Sequence, residues 1–416
     1  MQIGRLSPIK FSSSTLLVIA ILLVGSAFAS SERVIYSFTG GNDGGDPATP
    51  LTFDSAGNAY GTTVTGGTAQ CGTVFKLTPS GGGQWQQSVL HSFDCMAEGK
   101  YPYGGVILDS HGNIYGTTVS GGSGGFCAGD GCGVVFELTQ SGGTWTDAVL
   151  YSFTDAPDVN GPNALAFDTS GNLYATAADG GANGYGGIFQ LAHSAGGWTE
   201  TVIHNFTGGN DGGLGSLGSL LRDASGNFYG VAEIGGQYGA GTVFKISPAA
   251  GGGWKFTTLY AFQGQPDANG PYGGLIADAN GNLYGTTYYG GVNGAGTVFK
   301  VGPAPNATAG WRDAVLYSFQ GNSDGGNPSS TLVFDAAHNL YGTTSAGGDS
   351  NCQCGVVFEL SPGQSGWTEN VLHTFGTFPD GASPSYGLTP DGAGNYLGST
   401  PIGGNENQGA VFEFTP

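Results

Sequence analysis

A turn of the form Asp-x-x-Gly-Asn, followed by an apolar residue, recurs seven times, beginning at Asp54, Asp109, Asp168, Asp223, Asp278, Asp335 and Asp391. The intervals are 55, 59, 55, 55, 57 and 56 residues, and His338 replaces the Gly of the sixth copy. A period of this length makes each repeat one supersecondary unit that buries its apolar surface only against its neighbours. Each copy holds short apolar runs such as Gly105-Val106-Ile107-Leu108 before the turn and, usually, Tyr-Gly-Thr-Thr after it. Two further runs follow, as in Gly72-Thr73-Val74-Phe75-Lys76-Leu77 and Val149-Leu150-Tyr151-Ser152-Phe153. Runs of this length, rich in β-branched and aromatic residues and bounded by Gly, Asn, Asp or Pro, read as strands. No segment sustains a 3.6-residue period, which excludes helical solenoids, and a β-helix needs a shorter repeat. Four antiparallel strands repeated seven times predict an all-β fold, a seven-bladed β-propeller.

All six tryptophans (Trp85, Trp145, Trp198, Trp254, Trp311 and Trp367) lie eight residues before a Phe that closes a fourth strand. The seventh such Phe is Phe38, at the end of Arg33-Val34-Ile35-Tyr36-Ser37. The ordered chain is therefore expected to begin in a fourth strand and end in a third, Val411-Phe412-Glu413-Phe414, so that the two ends complete one blade. Such closure removes a free sheet edge. The tryptophans read as hairpin packing rather than ligand stacking.

Gly supplies 82 of 416 residues, yet 12% of the chain is aromatic, which separates it from disordered chains; no Gly-X-Y period supports collagen. Ten Lys plus Arg stand against thirty Asp plus Glu, a formal charge of −20. That balance disfavours nucleic acid and anionic membrane surfaces as partners. Arg5 and Lys10 precede an apolar run from Leu16 to Val24 and the small-residue end Ala27-Phe28-Ala29. Residues 1–29 read as a cleavable signal peptide, and 30–416 as one propeller domain. The apolar run is short for a spanning helix, so a secreted or periplasmic monomer is expected, with no membrane insertion after signal removal.

The pattern Gly-Asn-Leu-Tyr-Gly-Thr-Thr, then Gly-Thr-Val-Phe-Lys-Leu, then Trp and Val-Leu-Tyr-Ser-Phe, resembles the GloVer tandem-repeat family of bacterial exported proteins. The resemblance covers the chain after residue 30 and implies an exported or surface repeat protein without implying an activity. Many members carry a C-terminal sorting anchor; none is visible here, so attachment by that route is not expected. The hairpin is also similar to those of NHL-type propellers, an analogy of fold alone.

Six cysteines in an exported chain predict disulfides. Cys71 and Cys95 lie symmetrically about the turn near Gly83, so hairpin pairing sets them opposite each other. Cys127 and Cys132 share a loop and can close a small ring. Cys352 and Cys354 are one residue apart, and bonding between them is left open. Zinc is the alternative, but no His or second Cys pair lies in phase to complete a four-ligand set.

No Gly-x-Ser-x-Gly elbow and no His pair of metalloprotease type is present. Half of the acidic residues fall in the loops joining strand two to three and strand four to the next blade, which share one face of a propeller. That face should favour cations or neutral polyols. Asp43, Asp211, Asp267, Asp324 and Asp380 recur at one phase, read either as caps on their own turns or as calcium ligands. Within the repeated Thr-Thr-x-x-Gly-Gly, or a close variant of it, the variable pair differs between blades and places Asp179, Glu233 and Tyr288-Tyr289 on adjacent loops. Tyr185, Tyr238 and Tyr272 belong to the same sector. Carboxylates beside aromatic faces suit a saccharide, whose hydroxyls lie at its edge and C–H groups on its face. Two function classes therefore compete: a non-catalytic binding or scaffold module for extracellular glycan or a surface protein, and a glycoside hydrolase or lyase using Asp179 and Glu233.

Overall fold

The computed structural model describes residues 30–416 apart from 48, 126, 305–309 and 377. The proposed signal peptide, residues 1–29, lies outside the described residues. Seven antiparallel sheets form a β-propeller, and among the described residues the helical structure is the 3-10 turn Cys127–Gly129. Blade 5 shows the plan: Ile276–Ala277, Leu283–Gly290, Thr297–Pro303 and Trp311–Ser318 pair in sequence order. In blades 3 to 5 the link into the blade also pairs with the second strand, as Ala268–Pro271 does with Leu283–Gly290, giving five strands where four were expected. Gly270 (φ 66°) and Pro271 end this extra piece before the first strand proper, since Pro supplies no N–H to continue the ladder.

Closure follows the expected plan. Ser31–Ser37 pairs with Ala410–Thr415, with Ser31 opposite Thr415 and Ser37 opposite Ala410, and completes blade 7. Arg33 Nε donates to Glu413 Oε2 at 2.6 Å across this pair. A β-bulge interrupts the third and fourth strands of all seven blades, as between Val298 and Phe299. Such a bulge adds local twist, which a blade needs to lie against its neighbours.

The core is built at the seams between blades. Each closing Phe meets, edge to face, the Phe of the next blade's third strand: Phe38–Phe75, Phe93–Phe136, Phe153–Phe189, Phe206–Phe244, Phe262–Phe299, Phe319–Phe358 and Phe375–Phe412, with centroids 4.9–5.6 Å apart. The Gly of Tyr-Gly-Thr-Thr makes room for the inner ring: a Cβ on Gly285 would lie 2.7 Å from Phe299 Cζ. Blade 3 carries Ala175 at the same register, opposite Phe189. Gly285→Val is accordingly expected to lower stability by about 2–3 kcal/mol and Gly285→Ala by clearly less, read as shifts in urea midpoint.

The Asp-x-x-Gly-Asn hairpin is structural throughout. Asp278 Oδ1 accepts from the Asn280 and Asn282 N–H groups, and Oδ2 from the Asn282 amide at 2.6 Å and the Tyr284 hydroxyl at 3.0 Å. Partial burial alone would raise this carboxyl; the donated hydrogen bonds outweigh it and hold it below the ordinary range.

Candidate functional site

Two kinds of connection build the loop face: the end of each second strand, and the link from a fourth strand to the next blade. The hydroxyl pair that follows Tyr-Gly in most repeats fixes them to each other; blade 3 keeps only the first hydroxyl (Thr176-Ala177) and blade 4 neither (Val231-Ala232). The first hydroxyl donates to a carbonyl on the neighbouring link, as Thr62 does to Pro102 (2.6 Å), Thr176 to Ser216 (2.9 Å) and Thr286 to Ser330 (2.9 Å). The second hydroxyl caps its own turn, as Thr287 does on the Tyr289 carbonyl (2.7 Å). Where these hydroxyls occur they are thus used inside the wall, and the variable pair is what the wall presents.

In the link, the residue eight positions past the closing Phe has positive φ in all seven blades: Asp46, Tyr101, Gly161, Leu214, Gly270, Asn327 and Ser383, from 54° to 66°. Five of these are not Gly. A strained position repeated around the ring belongs to the architecture, turning each link into its blade, and not to one site.

Glu233, Tyr272, Tyr288 and Tyr289 line one cavity of about 490 Å³, together with Ser329, Ser345, Ala346, Ser383, Ser385 and Tyr386. The Tyr272 and Tyr288 rings are 6.1 Å apart, and Tyr288 and Tyr289 meet edge to face at 4.8 Å. The Asn327 amide holds the Tyr288 carbonyl at 2.9 Å, and Ser345 Oγ donates to the Asn327 carbonyl at 2.9 Å. Burial raises the Glu233 carboxyl above the usual range. Burial also raises the Tyr272 phenol, and the charge of Glu233 adds to the effect. A smaller cavity shares Tyr272, Ser329, Ser385 and Tyr386 and reaches Tyr103. Asp46 is pushed up to about 6 by burial, and its Oδ1 has no hydrogen-bond partner within the protein.

The other expected residues lie elsewhere. Asp179 lines a different depression, of about 510 Å³, with Asn160, Asn163 and Leu217. Tyr185 packs over the backbone of Gly208 and Gly213, and Tyr238 is 53% exposed; neither lines the cavity with Glu233. The gathered sector therefore runs from blade 4 to the link into blade 7, rather than over blades 3 to 5.

A family model described as the Gloeobacter/Verrucomicrobia repeat matches residues 24–129, 123–312 and 218–416. The chain belongs to this family. No curated protein matches it. Among solved structures, it is similar to PorZ, an essential bacterial surface component of the type-IX secretion system of Porphyromonas gingivalis: 15% identity, TM-score 0.50, covering 89% of this chain and 47% of that one. It is likewise similar to the GH74 xyloglucanase of Xanthomonas campestris: 15% identity, TM-score 0.50, covering 92% of this chain and 55% of that one. A protein of unknown function from Dyadobacter fermentans DSM 18053 matches at 10% identity and TM-score 0.46, covering 92% of this chain and 97% of that one. The chain spans about half the length of the first two. Likeness at these identities shows the fold alone.

In this Gloeobacter/Verrucomicrobia repeat protein the recurrent acids of the loop face are turn caps. Asp43, Asp211, Asp267, Asp324 and Asp380 each accept from the backbone N–H four residues earlier. Tyr36, Tyr260 and Tyr317, seven residues earlier, add their hydroxyls to Asp43, Asp267 and Asp324, and His204 its ring nitrogen to Asp211. Glu98 and Asp158 do the same in the two remaining blades, beside His91 and Tyr151.

A second set of acids escaped the sequence reading. Two residues after the tryptophan come Asp147, Glu200, Asp313 and Glu369, with Glu32 at the same register of blade 7. Each faces the capping acid of the preceding blade. Burial first, and the facing Asp158 or Asp324 second, push Glu200 and Glu369 up to about 7. Asp313 is pushed up to about 8 by burial and by Asp267. Glu32 rises to about 7 by burial and Asp380, against the opposing effect of His373.

The three disulfides join Cys71–Cys95, Cys127–Cys132 and Cys352–Cys354. They tie loops of the same face, and they fit an oxidising extracellular or periplasmic compartment. Among the described residues no helix is long and apolar enough to cross a membrane.

Proposed function

We propose that this protein is an exported, monomeric binding module that takes a neutral saccharide on its acidic loop face, in the cavity of Glu233, Tyr272, Tyr288 and Tyr289. The observation that carries this reading is the convergence of one half-buried carboxylate, four tyrosines and four serines on a cavity of about 490 Å³. Its size is that of a small-molecule site, and its lining pairs apolar ring faces with convergent hydroxyls. Tyr289 is 51% exposed, offering a ring face at the rim. The net charge of −20 disfavours anionic ligands. The fold serves both a surface component and a xyloglucanase among its neighbours, so it does not choose between binding and cleavage. Cleavage by the usual route requires two facing carboxyls about 5 to 9.5 Å apart. Glu233 is the carboxylate lining this cavity, and Asp179 lines another.

Glu233→Ala combined with Tyr288→Ala is expected to weaken saccharide binding at least 100-fold in calorimetric titration, as the loss of two central contacts would. Asp179→Ala is expected to leave affinity within about twofold, being outside the cavity. Unchanged affinity in the double variant would refute the assignment.

A further inference from the structure

At two seams the facing acids are joined by a histidine. Glu32, His373 and Asp380 offer ligand atoms within 4.8 Å of one another, and so do His91, Glu98 and Asp147. His373 Nε2 lies 3.4 Å from Asp380 Oδ2 and 3.8 Å from Glu32 Oε2; His91 Nε2 lies 3.3 Å from Glu98 Oε2, and its Nδ1 4.0 Å from Asp147. The two sets occupy equivalent positions: two ligands from one blade, the third from the outer strand of the next.

These clusters are more than acidic surface. The Glu32 side chain is 9% exposed, and its Oε1 has no hydrogen-bond partner within the protein. His91 Nε2 and His373 Nε2 make no well-aligned hydrogen bond beyond these carboxylate contacts. Backbone N–H groups of Gly376 and Gly381 fix both Asp380 oxygens at 2.8 Å, so that ligand is held in place. Glu32 and Asp380 also line a cavity of about 530 Å³ that gives access from solvent. The third histidine seam has the opposite character. There Phe256 stands where the facing acid would be and stacks on His204 at 3.9 Å and 7°. His204 is instead bonded to Asp211 at 2.9 Å.

We propose that the Glu32–His373–Asp380 seam, and its counterpart His91–Glu98–Asp147, each bind a divalent transition metal of the zinc type. One imidazole and two carboxylates form a three-ligand set that such ions accept, with water taking the remaining position. The ion clamps the outer strand of one blade to the turn of the preceding one. At the Glu32 seam it fastens the N-terminal strand that closes the ring.

The test is equilibrium dialysis of chelator-treated full-length protein against zinc, with metal per chain measured by elemental analysis and thermal midpoints recorded alongside. Two zinc ions per chain are expected, one lost in His373→Gln, one in His91→Gln, and none in His204→Gln. Zinc should raise the wild-type midpoint by mass action, and leave the double variant His91→Gln/His373→Gln unmoved. Midpoints in chelator report whether each variant folds, and Glu32→Gln is the second probe of the closing seam, expected to lose the same ion as His373→Gln. Absence of retained zinc, zinc surviving in the double variant, or zinc lost in His204→Gln would each overturn the proposal.

Discussion

Removal of residues 31–38 is expected to replace the cooperative thermal transition of the ring by a broad one at much lower temperature. Ser31–Ser37 is the fourth strand of blade 7, and without it Ala410–Thr415 becomes an open edge with unpaired backbone groups. The same deletion removes Phe38, fully buried and 5.1 Å from Phe75, so the seam between blades 7 and 1 loses its ring pair. Loss of one such Phe side chain alone costs about 3–5 kcal/mol, comparable with much of a domain's total stability. A linear repeat array would tolerate a trimmed end, because its units depend only on their neighbours. A closed ring does not, since every blade needs two seams. Calorimetry and dye binding to exposed apolar surface would read the effect. A sharp transition at the wild-type midpoint would show that the terminal strand is dispensable.

Stability is expected to fall as pH rises from about 5 to 9. Asp313 is pushed up to about 8, and Glu200 and Glu369 to about 7, from ordinary carboxyl values near 4. In that window the folded state holds protons that the unfolded state has released, so the slope of unfolding free energy with pH is negative. The penalty is absent below the unfolded values and complete above the folded ones. The physical cause is visible at each seam. Asp313 Oδ1, Glu200 Oε1 and Glu369 Oε1 are buried without a hydrogen-bond partner, each facing a second carboxyl. Asp313 can share its proton with Asp267, and at each of these seams loss of the proton leaves two negative charges near each other in a poorly solvated place. The hairpin acids Asp54, Asp109, Asp168, Asp223 and Asp278 shift the other way, and their contribution is lost only at more acidic pH. Asp313→Asn is expected to stabilise the protein at pH 9 by on the order of 2 kcal/mol and to do little at pH 5. Denaturant midpoints across pH measure this; a wild-type midpoint that rises from pH 5 to 9 would contradict it.

The architecture was legible because its determinants lie within one repeat. The Asp-x-x-Gly-Asn turn, the Tyr-Gly-Thr-Thr strand and the Trp-to-Phe spacing of eight each lie within a single hairpin or strand. Strand closure was legible for the same reason: Phe38 has the phase of the six other closing residues. The seam acids were not found, although their phase, two residues past the tryptophan, was open to inspection. Their partners lie across a blade boundary, as Asp313 faces Asp267, and repeat alignment places both without showing that they meet. Two capping acids, Glu98 and Asp158, were also separated from their five equivalents; the constant spacing of seven from His91 and Tyr151 would have joined them.

The candidate site was legible in part. Glu233, Tyr288 and Tyr289 stand out as departures from the repeat and Tyr272 as a loop residue of the same sector, and the four line one cavity. Asp179 departs from it equally but lines another, because adjacency of loops around a ring does not fix which wall a side chain joins. Ser329, Ser385 and Tyr386 were missed: they sit in links whose lengths and sequences differ between most blades, and a serine there carries no compositional signal.

The most direct test of the saccharide-binding assignment is the thermal midpoint of the purified chain against a panel of neutral and anionic polysaccharides, with each sugar's chain length measured after incubation. The account predicts that a neutral saccharide raises the midpoint in a saturable way and is recovered uncut, while anionic ones have no effect. A midpoint unmoved by every neutral saccharide, or recovery of shortened chains, would contradict it.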